Sequence, residues 1–273
     1  MSGGKRVFIT GGASGLGRAL AERYAKAGWR VAIGDVNDQR GAETLSVLKG
    51  LGGVAEYCRC DVTQESDLIK VAAWLEQNWG GVDLVFNNAG VALSGNIEDV
   101  SLDDWQWVVD IDLLGVVRGC KAFVPLFKRQ GSGHLVNVAS LAGLVHPPRM
   151  APYNTVKAAV VSLSETLYAE LAASGIAVSV VCPGFFRSNL AETARTSDAD
   201  SKRRTTRLVN KARRTSDDIA KVVIRGVERR EFRILPDVDG RKAWRLKRML
   251  PFPLFVKALN RMFTSGYKAA KAR

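Results

Sequence analysis

The strongest constraint on this chain is a rhythm in which short apolar runs rich in β-branched residues alternate with longer amphipathic stretches. Arg6–Thr10 (RVFIT), Arg30–Asp35 (RVAIGD), Val54–Cys60, Val82–Asn87 (VDLVFN), Gly133–Ser140 (GHLVNVAS), Ile176–Cys182 (IAVSVVC) and Phe232–Leu235 read as strands. Gly15–Ala27, Asp38–Lys49, Gln64–Trp79, Ser101–Arg129, Ala151–Ser174 and Ser216–Arg230 read as helices. In the first of these, Leu16, Leu20, Tyr24 and Ala27 recur at helical spacing. Ser101 opens the fourth as a cap, with Asp103 and Asp104 in its first turn, where negative charge suits the helix N-terminus. Strands that are apolar throughout, rather than at alternate positions, are buried on both faces. Their alternation with helices predicts an α/β fold, a doubly wound parallel sheet of Rossmann type with helices on both sides.

No linker interrupts the first 190 residues of the 273, and one large domain is expected over residues 1–239. A chain with 47% hydrophobic and 25% charged residues is globular rather than disordered or fibrous. The richest apolar stretch, Leu113 to Phe127, is cut by Arg118 and Lys121, so no membrane-spanning helix is expected. The first residues carry no apolar segment of the secretory kind and run directly into a strand. Cys58, Cys60, Cys120 and Cys182 form no C-x-x-C, and both histidines stand apart from them. Reduced thiols in a cytoplasmic protein are expected, and no zinc site.

The net charge of +13 is unevenly placed. Residues 241–273 hold ten basic residues and no acidic one, and Arg195–Arg214 hold eight basic and two acidic. The rest of the chain is therefore mildly acidic. That division points to two basic segments meeting an anionic surface, rather than to a nucleic-acid-binding core.

After the first strand comes Thr10-Gly11-Gly12-Ala13-Ser14-Gly15-Leu16-Gly17, then a helix. Gly11 permits a tight exit from the strand, and Gly15 and Gly17 allow close backbone approach to a pyrophosphate. The helix N-terminus then offers unpaired N–H groups to the anion. Asp35 ends the second strand, where a carboxylate accepts hydrogen bonds from an adenosine ribose and repels a 2′-phosphate. Ser14 is neutral, and Arg18 after Gly17 is the one feature that pulls the other way. NAD(H) is expected in preference to NADP(H).

This Gly-x-x-x-Gly-x-Gly turn, with Asn87-Asn88-Ala89-Gly90, Ser140 and Tyr153-x-x-x-Lys157, resembles the short-chain dehydrogenase/reductase family from Lys5 to about Pro236. The resemblance implies hydride transfer between a nicotinamide and a secondary alcohol or ketone, with a hydrophobic substrate expected. Tyr153 and Lys157 lie at i and i+4 on one helix face. The resemblance makes Tyr153 the acid/base, with its phenolate favoured by the Lys157 ammonium, and gives the substrate oxygen a hydrogen bond from Ser140. It also implies that Asn88, Ala89 and Gly90 back the adenosine and that Asp61 and Val62 meet the adenine. Ser14, Leu16, Pro183, Gly184, Phe186 and Ser188 complete the implied cofactor-binding set, Ser188 at the nicotinamide carboxamide. A homodimer or homotetramer is implied as well.

One position departs from the family's pattern. Asp110-Ile111-Asp112-Leu113-Leu114-Gly115 places Asp112 where the family has an asparagine that anchors a proton-relay water. A carboxylate there could hold the water, would raise the proton affinity of Lys157, or could be a structural acid paired within the helix. Residues 189–215 fall where the family has a substrate lid. Their arginines and lysines make either a solvated cover or a charged rim for an anionic substrate. The tail mixes basic residues with Trp244, Met249, Phe252, Leu254, Phe255, Leu259, Met262 and Phe263, and Pro251 and Pro253 split any helix in two. It could pack on the domain, pack on a sister subunit, or lie at a bilayer interface. The rival functional class is a catalytically silent nucleotide-binding scaffold that acts through this tail.

Overall fold

Each apolar run becomes a strand of one sheet. In the computed structural model, which describes residues 4–260, the strands are β1 (Arg6–Thr10), β2 (Arg30–Asp35), β3 (Ala55–Arg59), β4 (Leu84–Asn87), β6 (Gly133–Val138), β7 (Ile176–Val181) and β9 (Arg233–Ile234). Their order is β3-β2-β1-β4-β6-β7-β9, and every pair is parallel. A separate two-residue ladder joins β5 (Leu93–Ser94) to β8 (Arg195–Thr196).

The helices cover both faces. One face packs α3 (Glu65–Trp79), α5 (Gly115–Gln130) and α7 (Ala151–Leu171) around Phe8, Phe123, Phe127 and Val160. The other packs α1 (Gly15–Lys26), α2 (Asp38–Gly50) and α9 (Ser216–Glu228) around Ile9, Leu20, Ile33 and Phe86. The expected doubly wound parallel sheet is thus the observed one. All strand carboxyl ends open on one edge. The strand order reverses between β1 and β4, where the connections leave in opposite directions and a crevice opens.

The long helix expected over Ser101–Arg129 is interrupted. It runs as α4 (Leu102–Val109), a π-helical turn (Asp110–Leu114) and then α5. Arg118 staples this turn: its guanidinium donates to the Asp110 carboxylate at 2.6 Å and to the Asp110 and Val62 carbonyls at 3.1 Å. The wider turn carries Asp112 into the interior, where it is 0% exposed. Three further helices lie outside the strand–helix rhythm: α6 (Ala142–Val145), α8 (Ala199–Asn210) and α10 (Val238–Met249). Beyond Pro251 the chain is helical again over 252–260, so the tail divides at the proline as its sequence implies. Met262 and Phe263 lie outside the described residues.

A buried polar chain ties the sheet to α7. Asn87 Nδ2 donates to Asn137 Oδ1 at 2.9 Å, Asn137 Nδ2 donates to Ser164 Oγ at 3.0 Å, and Ser164 Oγ donates to the Val160 carbonyl at 2.7 Å. This fixes the distance between the ends of β4 and β6 and the helix that carries Tyr153 and Lys157. Asn137→Ala is expected to leave the Asn87 amide with the weak acceptor Cys120 Sγ at 3.6 Å in place of an amide oxygen, and Ser164 without its donor, at about 1–3 kcal/mol per buried group deprived. Urea unfolding should show the midpoint falling at an unchanged denaturant slope.

Candidate active site

The cleft begins at the end of β1. Gly11 there has φ +63°, and a Cβ on Gly17 would lie 2.2 Å from the Gly11 carbonyl oxygen. Only glycine at Gly17 lets α1 start this close to the strand. Ser14 precedes the helix, its hydroxyl caps no backbone N–H, and the first turn holds no acidic residue. The positive end of α1 is therefore available to an anion. The neighbouring strand end is sewn to this turn: the Thr10 hydroxyl accepts from Asn88 N–H at 2.9 Å and Ala89 N–H at 3.0 Å, while Asn88 Nδ2 donates to the Thr10 carbonyl at 2.8 Å. The Asn-Asn-Ala-Gly turn thereby fixes the glycine turn beside it.

Asp35 stands at the far end of the groove. Its Oδ2 accepts from Ala13 N–H at 3.1 Å and its Oδ1 from Asn37 N–H at 3.0 Å, which hold the carboxylate in place. Arg18 is turned aside into a 2.8 Å ion pair with Glu22. Arg40 does line the groove, but its guanidinium is engaged 2.7 Å from Glu192 of the segment that crosses above. Asp61 Oδ1 accepts from the backbone N–H and hydroxyl of Thr63, and Val62 packs beside it.

The groove has a volume of about 590 Å³. Gly11, Ser14, Gly15, Leu16, Asp35, Asp61, Val62, Asn88, Ala89, Gly90, Tyr153, Lys157, Pro183, Phe186 and Ser188 all line it. Gly17 stands behind the turn, and Gly184 and Ser140 face a second, adjoining pocket of about 120 Å³. A free helix N-terminus at one end, a cradle that a side chain would fill, and a fixed carboxylate beyond it fit a dinucleotide.

The two pockets meet at Tyr153, Pro183, Phe186, Ser188 and Leu190. The smaller one is walled by Leu141, Ala142, Val145, Pro147, Met150, Phe185 and Val209, and no charged residue among the described ones lines it. Sequence reasoning left most of these walls unassigned. The apolar run Leu141–Val145 directly after Ser140 was the available signal. Arg40, Asn189 and Leu190 were also missed, and their place in the groove depends on how the 189–215 segment folds back.

At the junction, Tyr153 is buried and lines the smaller pocket with Ser140, whose hydroxyl donates to the Pro183 carbonyl at 3.4 Å. The Ser140 oxygen also accepts from Ala142 N–H at 3.1 Å. Lys157 Nζ lies 5.7 Å from the Tyr153 ring centre, donates to the Val138 carbonyl at 3.3 Å, and sits 3.1 Å from Asp112 Oδ2. Asp112 Oδ1 accepts from Val91 N–H at 2.8 Å. Four groups of which three titrate are thus buried together.

Their electrostatics follow from burial and pairing. Burial pushes the Tyr153 phenol above its ordinary pKa, Asp112 adds to the rise, and Lys157 and the Ser140 hydrogen bond oppose it. Burial works to discharge Lys157, but Asp112 and Tyr153 more than offset this and leave its pKa raised. The ammonium is therefore retained at neutral pH. Of the readings open for Asp112, the geometry supports direct pairing with Lys157 rather than pairing within its own helix.

A family model described as short chain dehydrogenase matches residues 5–199. A 2,5-dichloro-2,5-cyclohexadiene-1,4-diol dehydrogenase of Sphingobium indicum is 36% identical over 198 residues, covering 72% of this chain and 78% of its own. Among solved structures, a short-chain dehydrogenase/reductase from Burkholderia phymatum in complex with NAD has a TM-score of 0.86 at 34% identity, covering 90% of this chain and 93% of that one. A short-chain dehydrogenase from Sphingobium yanoikuyae in complex with NADPH has a TM-score of 0.75 at 26% identity, covering 90% and 95%. The fold, the sewn glycine turn and these likenesses agree: the chain belongs to the short-chain dehydrogenase/reductase family and is an NAD(P)-dependent oxidoreductase acting on CH–OH and C=O groups.

Proposed function

We propose that this enzyme prefers NAD(H) and interconverts an apolar secondary alcohol and its ketone, with Tyr153 as the proton donor and acceptor. The observation that carries the reading is the place of Tyr153, where a polar groove of dinucleotide shape meets a pocket that no charged residue lines among the described residues. The groove from Gly11 to Ser188 would hold a nicotinamide dinucleotide, which would supply hydride transfer at C4 and, when oxidised, a ring charge favouring the phenolate. Ser140 holds the substrate oxygen by a hydrogen bond and steadies the Tyr153 phenol. Lys157 keeps a positive charge beside that phenol and is placed to hold the nicotinamide ribose. Asp112 maintains the Lys157 charge and positions its ammonium. Residues 189–215 act as the substrate lid. Val209 of α8 supplies an apolar wall while the exposed Arg207 stays outside the pocket, so the solvated cover is favoured over a rim for an anionic substrate.

NAD preference rests on Asp35. A 2′-phosphate set about 4 Å from this carboxylate meets a repulsion of roughly 1–4 kcal/mol, depending on local screening. Neither nearby arginine offsets it, since Arg18 is paired with Glu22 and Arg40 with Glu192. Subunit association through the family's usual homo-oligomeric arrangement is part of the same proposal.

Three measurements test these assignments. Tyr153→Phe should lower kcat by about 10²–10⁴-fold while NAD affinity, followed by fluorescence titration, stays near the wild-type value. Turnover close to wild type would remove Tyr153 from the chemistry. Wild-type kcat/KM should favour NAD over NADP across a panel of apolar alcohols, and Asp35→Ser should narrow the ratio by roughly tenfold or more. A wild-type preference for NADP would reverse the assignment.

The third concerns pH. Asp112 raises the proton affinity of Tyr153. With the Lys157 ammonium still in place, removing the Asp112 charge in Asp112→Asn takes away only its direct opposition to the phenolate and should lower the Tyr153 pKa. The acidic limb of the kcat/KM profile for alcohol oxidation should then move to lower pH. An unmoved limb with an unchanged kcat would make Asp112 merely structural.

A further inference from the structure

The tail divides its apolar residues into two sets. Phe255 is 2% exposed and Leu259 is buried, and with Trp244 and Leu250 they pack into the cluster that holds Leu144 and Val145. Met249 at 81%, Phe252 at 67% and Leu254 at 54% exposure face outward instead. Exposed cations are interleaved with this second set. Lys242, Arg245 and Met249 follow one another at helical spacing along the outer side of α10, with Arg248 beside them, and Lys257 extends the charge along 252–260. No acidic residue occurs anywhere in residues 241–273.

We propose that the outer face of α10 and residues 252–260 docks this enzyme on an anionic lipid bilayer. Large apolar side chains ringed by basic ones match an acyl boundary beneath anionic headgroups. No described helix is long and apolar enough to cross a membrane, so the attachment is peripheral. A second copy of the chain is a poor occupant. A two-fold interface sets the same patch against itself, which here opposes four exposed cations to their copies, with Asp239 at the start of α10 too few an acid to pair them. The apolar residues are also too many for a solvated cationic face, since three of them are more than half exposed within six positions.

The docking face lies directly behind the substrate pocket. α10 packs on α6, Lys247 Nζ donates to the Leu144 carbonyl at 2.6 Å, and Ala142 and Val145 of α6 wall the apolar pocket. Seated on a bilayer, the enzyme holds that pocket next to the phase in which an apolar alcohol or ketone concentrates. This last step rests on the apolar-substrate reading, whereas docking itself does not.

Vesicle co-sedimentation of the full chain tests docking without any substrate. The protein should sediment with phosphatidylcholine–phosphatidylserine vesicles and remain in the supernatant with phosphatidylcholine alone. Raising the salt should release it, because exposed charges are screened. Each cation near such a surface contributes on the order of fivefold in partitioning, so the triple change Lys242→Gln, Arg245→Gln, Lys257→Gln should weaken binding roughly hundredfold. Met249→Glu with Phe252→Glu should also release the protein, and all these positions are exposed enough that thermal unfolding and NAD binding should stay as in wild type. Equal sedimentation with both vesicle types, or variants that bind like wild type, would overturn the proposal. So would a smaller assembly for Met249→Glu/Phe252→Glu in lipid-free sedimentation, which would make the face a contact between copies. If docking holds while turnover is confined to polar alcohols, the substrate reading fails and the docking surface stands.

Discussion

All seven strands of the main sheet run in one direction, and the site depends on that constraint. Parallel neighbours must be joined by crossovers, and the crossovers here are helices laid over both faces. Burial on two sides leaves only the strand ends to meet solvent. Where successive crossovers turn to opposite sides, between β1 and β4, the chain cannot close over the carboxyl edge. The glycine turn after β1, the Asn-Asn-Ala-Gly turn after β4, and Ser140 after β6 are therefore neighbours because of topology. Their exact relation is set by polar contacts that span the gap, Thr10 to Asn88 and Ala89, and Asn87 through Asn137 to Ser164.

Within that frame the electrostatic problem is to keep an ammonium charged in a dry place. Lys157 is only 4% exposed. An isolated buried lysine gives up its proton readily, and a neutral amine would do nothing for the Tyr153 phenol. Asp112 supplies the opposing charge at 3.1 Å, and Val91 N–H in turn supports the carboxylate. The same carboxylate works against the phenolate directly, so its net effect on Tyr153 is the difference between two opposed influences. An asparagine at this position would give up both the support and the opposition. The carboxylate reaches this place only because the helix carries a π turn there, and that turn is held by Arg118.

Legibility from sequence followed the range of the forces involved. The strands β1, β2 and β7 could be read because two-sided burial makes every residue apolar, and their bounds agree with the structure to within a residue. Tyr153 and Lys157 could be read because i and i+4 share a helix face, and they do line one groove. The π turn could not, since one extra residue in a helix leaves the apolar pattern of its flanks intact. The ladder between β5 and β8 joins two residues to two others about a hundred positions away, too short for any periodicity. The Arg40–Glu192 pair has no local signature either, as its partners are brought together only by the fold. The polar character of 189–215 suggested a solvated segment, whereas Val209 turns inward as a pocket wall.

The distribution of charge explains how so basic a chain can keep an acidic cofactor groove. Asp35 and Asp61 face the groove, and Arg40, which lines it, is countered by Glu192. In the 195–214 segment, Arg195 is spent on Asp104 and stacks at 4.0 Å over Trp107, and Arg214 donates to the Pro236 carbonyl. These contacts fasten the segment over the site without exposing its cations to the interior. The tail differs: Lys242, Arg245 and Lys257 stand in solvent, as do Met249 and Phe252. Positive charge that would compete at the ribose is thus neutralised, while positive charge on the outer face is left standing next to apolar surface. Screening over about 8 Å in physiological salt confines the reach of each set of exposed charges to its own surroundings.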